Sequence, residues 1–375
     1  MKKIAILGST GSIGTQALDV IARYPDRFRV VGLAAGRNVD LLREQAQTYR
    51  PGVVASAIDG PDGLMRVALE SKPDLLLAAT DGAVAFDAVF AAVERGIDVA
   101  VANKELIVAA GELLMAAARR SGSAILPVDS EHSAVFQCLV GENPESVAAV
   151  VLTASGGPFW RLDLQAIADA SLEAALAHPN WRMGTKNTID SASMMNKGLE
   201  IIEASHLFGL PAAKLHIAVH PQSIAHGFVV FTDGSVKGQL CAPDMRVPIG
   251  YALAYPNRLT SIGDFEVLEA LGAKPQAAEL RYDFERPDLV RFPCVRLAYQ
   301  ALERGGVAPA VLSAANEVAV AAFVEGKIRF GAIAEVVEAT LERVALREAT
   351  LDGIRAADRD ARIAAVELVE DRICC

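Results

Sequence analysis

The stretch KKIAILGSTGSIGTQALDVIARY, residues 2–24, decides the fold class, because it predicts a strand, a glycine turn and a helix in direct succession. Three apolar residues form the strand: Ile4, Ile6 and Leu7. Three glycines follow at regular spacing: Gly8, Gly11 and Gly14. Apolar residues then recur at helix spacing: Ile13, Ala17, Val20 and Ile21. A strand that turns on glycines into a helix is typical of the first unit of an α/β sheet.

The glycine turn predicts a dinucleotide site. Glycines let the backbone turn tightly and approach a pyrophosphate, which sits at the positive end of the following helix. The spacing is GxxGxxG rather than the commoner GxGxxG, and a plain tight turn would use the same residues. The position of the motif at the first strand–helix junction favours the cofactor site.

The end of the second strand, RVVGLAAG at residues 29–36, indicates which cofactor is bound. An NAD enzyme usually places Asp or Glu there to hold the ribose 2′-hydroxyl. This chain has Gly36, Arg37 and Asn38 instead. Arg37 could neutralise a 2′-phosphate, so NADP(H) is expected; the alternative is a surface arginine in a loop.

Short apolar strands continue to alternate with helices. Four more strands are predicted: GVVAS (52–56), DLLLAAT (74–80), DVAVAN (98–103) and SAILPVD (123–129). Three helices are predicted between them: VDLLREQAQTY (39–49), AVAFDAVFAAVERG (83–96) and ELIVAAGELLMAAARRSG (105–122). This alternation predicts an α/β fold with an N-terminal, doubly wound, Rossmann-type parallel sheet, whose ligands collect beyond the carboxyl ends of the strands.

Length and composition narrow the class of protein. The 375 residues call for two or three domains, and 52% hydrophobic with 22% charged residues is typical of a well-packed globular protein. The 36 basic and 46 acidic residues give a net charge of −10, which argues against nucleic-acid binding. No apolar run approaches the roughly 18–20 residues of a membrane span. The five cysteines include no CxxC pair, so reduced thiols and a cytoplasmic location are expected.

Two strand ends carry charged residues: one is followed by Asn103, Lys104 and Glu105, and the other by Asp129, Ser130 and Glu131. Asp129 and Glu131 are two apart in a segment expected to be extended, so their side chains should point the same way. Neighbouring carboxylates repel unless a proton or a cation lies between them, and carboxylate ligands suit Mg²⁺ or Mn²⁺ better than zinc. The alternative is a solvated acidic turn. His132 has no second histidine at ligand spacing.

Two further segments suggest an anion site and a lid. VVLTASGGPF (150–159) is a strand that runs into Ser155, Gly156 and Gly157, whose backbone amides could bind an anion. HPNWRMGTKNT (178–188) predicts a loop around Trp181. That loop could close over a substrate, or it could be a surface loop pinned by its tryptophan.

The stretch DSASMMNKGLEIIEA (190–204) predicts one helix with two stripes. The first stripe is apolar and suits a core: Met195, Leu199 and Ile202. The second stripe is polar: Ser193, Asn196, Lys197 and Glu200. With Ser191 expected near the helix start, a phosphate could bind Ser191, Asn196 and Lys197 and a metal could bind Glu200. Gly198 would either keep space for the ligand or permit a close helix crossing.

These motifs together resemble the 1-deoxy-D-xylulose 5-phosphate reductoisomerase family. The matching segments follow the family's order over residues 4–250: GSTGSIG, ANKE, DSEHSA, ASGGPF, HPNWRMG, DSASMMNKGLE, HPQSIAH and PDMRVPI. The resemblance implies three domains: NADPH-binding at 1–128, α+β catalytic at 129–256, and, after a linker at 257–284, helical at 285–375.

The resemblance also implies roles for individual residues. The divalent-metal ligands would be Asp129, Glu131 and Glu200, which with Lys104 would be the catalytic residues. The substrate phosphate would contact Ser155, Ser191, Asn196 and Lys197, with His178 beside it. Ser130 and Lys104 would hold the substrate hydroxyls, Glu131 and Glu200 would also contact substrate, and Trp181 and Met183 would lie on a mobile lid. The NADPH contacts would be Thr10, Gly11, Ser12, Ile13, Gly36, Arg37, Asn38, Asn103, Glu105 and Gly184.

The implied activity is an NADPH-dependent and Mg²⁺- or Mn²⁺-dependent rearrangement and reduction of 1-deoxy-D-xylulose 5-phosphate by a homodimer. Two other classes remain open on the residues alone. One is an NADP-dependent dehydrogenase of a small phosphorylated or carboxylated substrate, of which the aldehyde-oxidising kind needs a nucleophilic cysteine. The other is a non-catalytic nucleotide-binding regulator. The roles of His220 and His226 in HPQSIAH also stay open.

Overall fold

A computed structural model describes residues 1–80, 82–181, 183–260, 262–263 and 282–373. The described residues form two compact units. The first contains Met1–Leu106, Leu114–Gln137 and the described part of 244–278; the second contains Ile107–Leu113, Cys138–Pro243 and the described part of 279–375. Most of the expected linker at 257–284, together with Cys374 and Cys375, lies outside the described residues. The three-domain division stays a prediction.

The first unit is built on a parallel sheet, as expected. Its six described strands are β1 (Lys2–Leu7), β2 (Phe28–Ala34), β3 (Val53–Ala55), β4 (Leu75–Ala78), β5 (Asp98–Val101) and β6 (Ile125–Pro127). They lie in the order β3-β2-β1-β4-β5-β6, and every pair is parallel. This order is doubly wound, with β1 at the switch point where ligands bind in such sheets.

Burial explains why these segments are short apolar strands. Ile4, Ile6 and Leu7 of β1 have no solvent exposure, and the same holds for all of β4. A parallel sheet covered by helices on both faces needs apolar residues at successive positions, because both sides of each strand are buried.

Helices cover this sheet. The chain from β1 to β7 contains α1 (Ser12–Arg23), α2 (Val39–Tyr49), α3 (Gly60–Leu69), α4 (Phe86–Glu94), α5 (Lys104–Ser121) and α6 (Ser130–Leu139). A later helix, α11 (Arg246–Ala254), belongs to the same unit and packs against α1. The structure confirms the three helices predicted between the strands, and α3 is an addition.

The second unit contains a mixed sheet. Its strands are β7 (Val147–Ala154), β8 (Leu215–Val219), β9 (Ala225–Phe231) and β10 (Val236–Leu240), in the order β10-β9-β7-β8. β7 is parallel to β8 and antiparallel to β9. Four helices follow β7: α7 (Leu164–Ala168), α8 (Leu172–Leu176), α9 (Thr185–Ala192) and α10 (Met195–Phe208).

The C-terminal part of the second unit is helical, as predicted. Its helices are α12 (Pro293–Arg304), α13 (Ala308–Val324), α14 (Ala332–Arg343) and α15 (Leu351–Ile373). α13 is apolar almost all round and contacts both α14 and α15. Within the described parts of the chain, every helix is too short or too polar to cross a membrane.

Candidate active site

The glycine turn after β1 leaves no room for side chains. Gly8 has φ +88°, and a Cβ atom there would lie 2.2 Å from the carbonyl oxygen of Ala79. A Cβ atom at Gly14 would lie 2.2 Å from the carbonyl oxygen of Gly8. The backbone must therefore approach both β4 and the start of α1 without a side chain, as a dinucleotide turn requires.

The start of α1 is suited to an anion. The structure places the expected contact residues here, on the turn and the first helical residues: Thr10, Gly11, Ser12 and Ile13. Gly11 is the N-cap residue, it makes no side-chain capping bond, and the first turn has no acidic residue. The first backbone N–H groups of a helix lack intrahelical acceptors, so these can donate to a pyrophosphate.

The end of β2 carries the residues expected at the adenosine. Gly36, Arg37 and Asn38 are all exposed, and a Cβ atom at Gly36 would meet nothing within 4 Å. Asn38 caps α2 by accepting the N–H of Leu41 at 3.2 Å. Asp40, the acidic residue nearest in sequence, pairs with Arg43 at 2.8 Å.

Asn103, Lys104 and Glu105 lie where β5 passes into α5. Asn103 caps α5 by accepting the N–H of Leu106 at 2.9 Å, and its Nδ2 atom donates to the carbonyl oxygen of Thr80 at 2.7 Å. Lys104 is buried, and its Nζ atom lies 3.4 Å from Oδ2 of Asp129. The side chain of Glu105 is half-buried in the first turn of the helix.

The expectation that Asp129 and Glu131 share an extended segment was wrong at Glu131. Ser130 and Glu131 begin α6, and Asp129 caps it, because its Oδ1 atom accepts the N–H groups of Glu131 at 3.1 Å and His132 at 3.3 Å. The Ser130 hydroxyl donates to the Glu131 carboxylate at 2.6 Å. Asp129 and Glu131 are both half-buried.

Ser155 and His178 lie together in the second unit. The Ser155 Oγ atom accepts the N–H of Gly157 at 3.2 Å and lies 3.1 Å from Nε2 of His178. Gly156 and Gly157 have φ of +83° and +67°, so the expected glycine turn forms after β7. A Cβ atom at Gly157 would lie 2.5 Å from the carbonyl oxygen of Ser191, so glycine permits the approach of this turn to α9.

The segment expected to form a lid is a loop between α8 and α9. Trp181 and Met183 are half-buried, and Gly184 is the exposed N-cap residue of α9. The indole of Trp181 lies edge-on to the ring of His226, with centroids 6.3 Å apart. Sequence reasoning missed Asn180, whose Nδ2 atom donates to the carbonyl oxygen of Pro221 at 2.8 Å.

The stretch 190–204 forms two helices rather than one. Met194 adopts the left-handed conformation, with φ 59° and ψ 11°, which ends α9 and lets α10 begin at Met195. Ser191 therefore lies in the last turn of α9, and its expected place near a helix start was wrong. Ser193 stabilises the break, since its Oγ atom accepts the N–H of Met195 at 3.3 Å.

The apolar stripe of α10 forms as expected. The expected polar stripe is interrupted, because Ser193 is the C-cap residue of α9, while Asn196, Lys197 and Glu200 lie on α10 and are largely buried. Lys197 is 4% exposed and Glu200 is 1% exposed. Asn196 and Lys197 each donate to the Glu200 carboxylate, one to each oxygen. Burying a carboxylate costs free energy unless it is paired and hydrogen-bonded, and these two donors meet both conditions.

Gly198 permits the close crossing of α10 and α12. A Cβ atom there would lie 2.7 Å from Cβ of Ala298 and 3.2 Å from the carbonyl oxygen of Cys294, both in α12. Of the two explanations that the sequence left open, close packing accounts for this glycine and space for a ligand does not.

The two histidines of HPQSIAH are buried. The Nδ1 atom of His220 lies 2.9 Å from the carbonyl oxygen of Asp283, and its ring stacks on Phe284 with centroids 4.6 Å apart. The Nε2 atom of His226 lies 3.1 Å from the carbonyl oxygen of Cys241. These contacts make His220 a structural residue and place His226 beside Trp181.

Comparisons with known proteins agree with the sequence motifs. A family model described as 1-deoxy-D-xylulose 5-phosphate reductoisomerase matches residues 4–59 and 54–111, and models of the C-terminal domains of that enzyme match residues 125–208 and 240–364. The 1-deoxy-D-xylulose 5-phosphate reductoisomerase of Pelotomaculum thermopropionicum is 46% identical, with 99% of each chain covered.

Solved structures agree as well. The reductoisomerase from Zymomonas mobilis in complex with NADPH is 40% identical, with a TM-score of 0.89 over 98% of this chain and 99% of that one. A DOX-P reductoisomerase in complex with NADPH, fosmidomycin and magnesium is 34% identical, with a TM-score of 0.90 over 99% of this chain and 98% of that one. Similarity of this extent in sequence and fold shows that the chain belongs to the 1-deoxy-D-xylulose 5-phosphate reductoisomerase family.

Proposed function

We propose that this protein converts 1-deoxy-D-xylulose 5-phosphate into 2-C-methyl-D-erythritol 4-phosphate, with NADPH and a divalent metal, in the non-mevalonate isoprenoid pathway. The observation that carries the proposal is the polar face of α10. Asn196 and Lys197, which can donate to a phosphate, lie within one turn of Glu200, a buried carboxylate that can bind a cation. A phosphorylated substrate held on this face would have its phosphate and a metal ligand on one rigid helix.

The first unit fits NADPH. The N–H groups at the start of α1 have no side-chain cap and lie beside the glycine turn, which suits the pyrophosphate. Arg37 is exposed at the end of β2 with an open Gly36 before it, so its guanidinium can reach a 2′-phosphate. The remaining proposed contacts with the cofactor are Thr10, Gly11, Ser12, Ile13, Asn38, Asn103, Glu105 and Gly184.

The proposed metal ligands are Asp129, Glu131 and Glu200. Asp129 and Glu131 are half-buried in the first unit, and Glu200 is buried in the second. Three carboxylates and no nitrogen or sulfur ligand suit a hard cation, so Mg²⁺ is expected and Mn²⁺ is a second candidate. The hydrogen bonds that Asp129 and Glu200 accept from neighbouring groups would hold their oxygens in place.

The substrate phosphate is proposed to bind in the second unit, against Ser155, Ser191, Asn196 and Lys197, with His178 positioning Ser155. An ammonium group carries three donors and an amide carries two, so Lys197 and Asn196 can serve Glu200 and a phosphate together. Ser130 and Lys104 are proposed to hold the substrate hydroxyls. Trp181 and Met183 would close over the substrate and exclude water.

The chemistry divides between the chain and its cofactors. A divalent metal at the three carboxylates would supply Lewis acidity for the rearrangement of the ketose, and NADPH would supply the hydride for the reduction. The chain's own residues bind the phosphate, orient the hydroxyls and exclude water. Holding the phosphate far from the reacting carbons fixes the orientation of the substrate before reaction.

The described residues do not favour the rival dehydrogenase. Its aldehyde-oxidising form needs a nucleophilic cysteine, and burial raises the pKa of the Cys138 thiol above its usual value, which disfavours the thiolate. We also propose that the enzyme is a cytoplasmic homodimer. The family's dimeric active unit supports the dimer, and the free thiols of Cys138, Cys241 and Cys294 suit a reducing compartment.

The test is NADPH oxidation by the purified full chain with 1-deoxy-D-xylulose 5-phosphate, after chelation and then with Mg²⁺ or Mn²⁺ restored. We expect turnover only with metal, and 2-C-methyl-D-erythritol 4-phosphate as the product. Turnover without metal would favour a simple dehydrogenase. NADPH binding without any turnover would favour a nucleotide-binding regulator.

A further inference from the structure

We propose that a buried pair, Asp190 and Asn316, positions the turn between α9 and α10, on either side of which the proposed phosphate-binding residues lie. The inference rests on the proposed function, because it concerns the phosphate site of that enzyme.

The pair joins two helices that are distant in sequence. Asp190 in α9 and Asn316 in α13 both have no solvent exposure. The Nδ2 atom of Asn316 donates to Oδ1 of Asp190 at 2.8 Å. The other carboxylate oxygen lies 2.9 Å from Nζ of Lys186, four residues earlier in α9. A buried carboxylate requires such partners, so the end of α9 is fixed to α13.

The hydrogen bond from Asn316 to Asp190 uses only one of the two polar atoms of the Asn316 amide. Its Oδ1 atom is buried and has no hydrogen-bond partner among the described residues. An unpaired buried carbonyl oxygen is unfavourable, and an apolar side chain at this position would avoid it. The bond to Asp190 is therefore what the amide contributes at this position.

Asp190 lies in the last turn of α9, which leads into the strained turn before α10. The Ser193 hydroxyl donates to the carbonyl oxygen of Asp190 at 3.2 Å, and Met194 takes a left-handed conformation that is unfavourable for a residue other than glycine. Ser191 lies before this strained residue and Asn196 lies after it. A strained turn persists only where its surroundings hold it, so the fixed end of α9 sets how the two sides of the phosphate site meet.

Two single variants and their combination test the pair. In Asn316→Asp, two carboxylates would face each other without solvent. In Asp190→Asn, the single side-chain oxygen at position 190 would have to accept hydrogen bonds from both Asn316 and Lys186. We expect each variant to raise the KM for 1-deoxy-D-xylulose 5-phosphate, and the Kd for inorganic phosphate by calorimetry, by about tenfold. The KM for NADPH should change less than about twofold.

The combined variant is the rescue. It restores one carboxylate facing one amide but moves that carboxylate away from Lys186, so we expect a partial recovery of the phosphate affinity, above that of either single variant. Thr340→Val is the matched control, because it removes a buried hydrogen bond that stays within α14. It should lower the melting temperature without changing phosphate affinity.

Three results would overturn the inference. The first is unchanged phosphate affinity in a folded single variant. The second is an equal loss of NADPH and phosphate binding. The third is that no variant at either position folds while Thr340→Val does, which would make the pair purely structural. Failure of the proposed function is a separate result, since it would appear as absent turnover in the wild-type chain.

Discussion

The ring of His178 joins the Ser155 hydroxyl to the loop that follows it. Its Nε2 atom lies 3.1 Å from Oγ of Ser155, and its Nδ1 atom accepts the N–H groups of Asn180 at 3.2 Å and Trp181 at 2.9 Å. Because Nδ1 accepts, the ring is neutral and carries its proton on Nε2, which donates to Ser155. The Ser155 Oγ atom then accepts twice, so its own hydrogen is left to donate to a phosphate.

This geometry predicts a pH dependence of stability. Burial lowers the pKa of His178 below its usual 6.5. As the pH falls below about 6.5, the unfolded chain takes up a proton that the folded ring resists, so the free energy of unfolding decreases until the folded pKa is passed. We expect the melting temperature of the wild type to fall, relative to His178→Gln, between about pH 7.5 and about pH 5.5.

The control for this measurement is His216→Gln, which removes an exposed ring from β8. Comparing the two variants separates the buried ring from the general effect of acid on the chain. A constant difference between wild type and His178→Gln across this pH range would contradict the neutral ring.

Glu200→Gln should reduce metal-dependent turnover by about hundredfold or more, because an amide oxygen cannot replace a charged ligand of a hard cation. The KM for NADPH should change little, since the proposed cofactor contacts lie elsewhere. Initial rates over a Mg²⁺ titration measure both effects. Glu173→Gln, an exposed acid in α8, is the control. Turnover at the wild-type rate would remove Glu200 from the proposed metal ligands.

The parallel sheet could be predicted because its signals are local. Apolar strands such as Leu75–Ala78 and the glycine turn after β1 depend on short-range periodicity and turn chemistry. Helix α3 was missed because it opens with Gly60, Pro61, Asp62 and Gly63, which are turn residues. Pro61 instead occupies the start of a helix, where its missing N–H has no cost.

The candidate site was less predictable where tertiary contacts decide the backbone. Nothing in the 3.6-residue periodicity of 190–204 marks the break at Met194, since its left-handed conformation is held by Ser193 and by burial. The close packing at Gly198 could not be predicted either, because its neighbour Ala298 lies in a helix far along the chain. Asp190 and Asn316 gave no local signal, since only the folded chain brings them together.

Gly198→Ala should lower stability through the helix crossing. The added Cβ atom would lie 2.7 Å from Cβ of Ala298, and overpacking of this kind costs about 1–3 kcal/mol. Because the added atom would also lie 3.2 Å from the carbonyl oxygen of Cys294, a cost in the upper part of this range is expected, above the gain of about 1 kcal/mol that alanine brings to a helix. We expect the melting temperature to fall by a few degrees, as measured by calorimetry.

The matched control for the crossing is Gly52→Ala. Its Cβ atom would meet a single backbone oxygen at 3.9 Å, so stability should change little. The double variant Gly198→Ala with Ala298→Gly should recover part of the loss. A melting temperature for Gly198→Ala that equals or exceeds the wild-type value would mean that the crossing has room for a methyl group.

Arg37→Glu should weaken the preference for NADPH over NADH. The carboxylate would repel the 2′-phosphate of NADPH and could accept from the 2′-hydroxyl of NADH. We expect the KM for NADPH to rise by about tenfold or more while the KM for NADH falls or stays constant. Steady-state rates at saturating substrate and metal measure both constants. Arg43→Glu is the control, because Arg43 is an exposed arginine of α2 that pairs with Asp40. Equal changes for NADPH and NADH would show that Arg37 does not contact the 2′-phosphate.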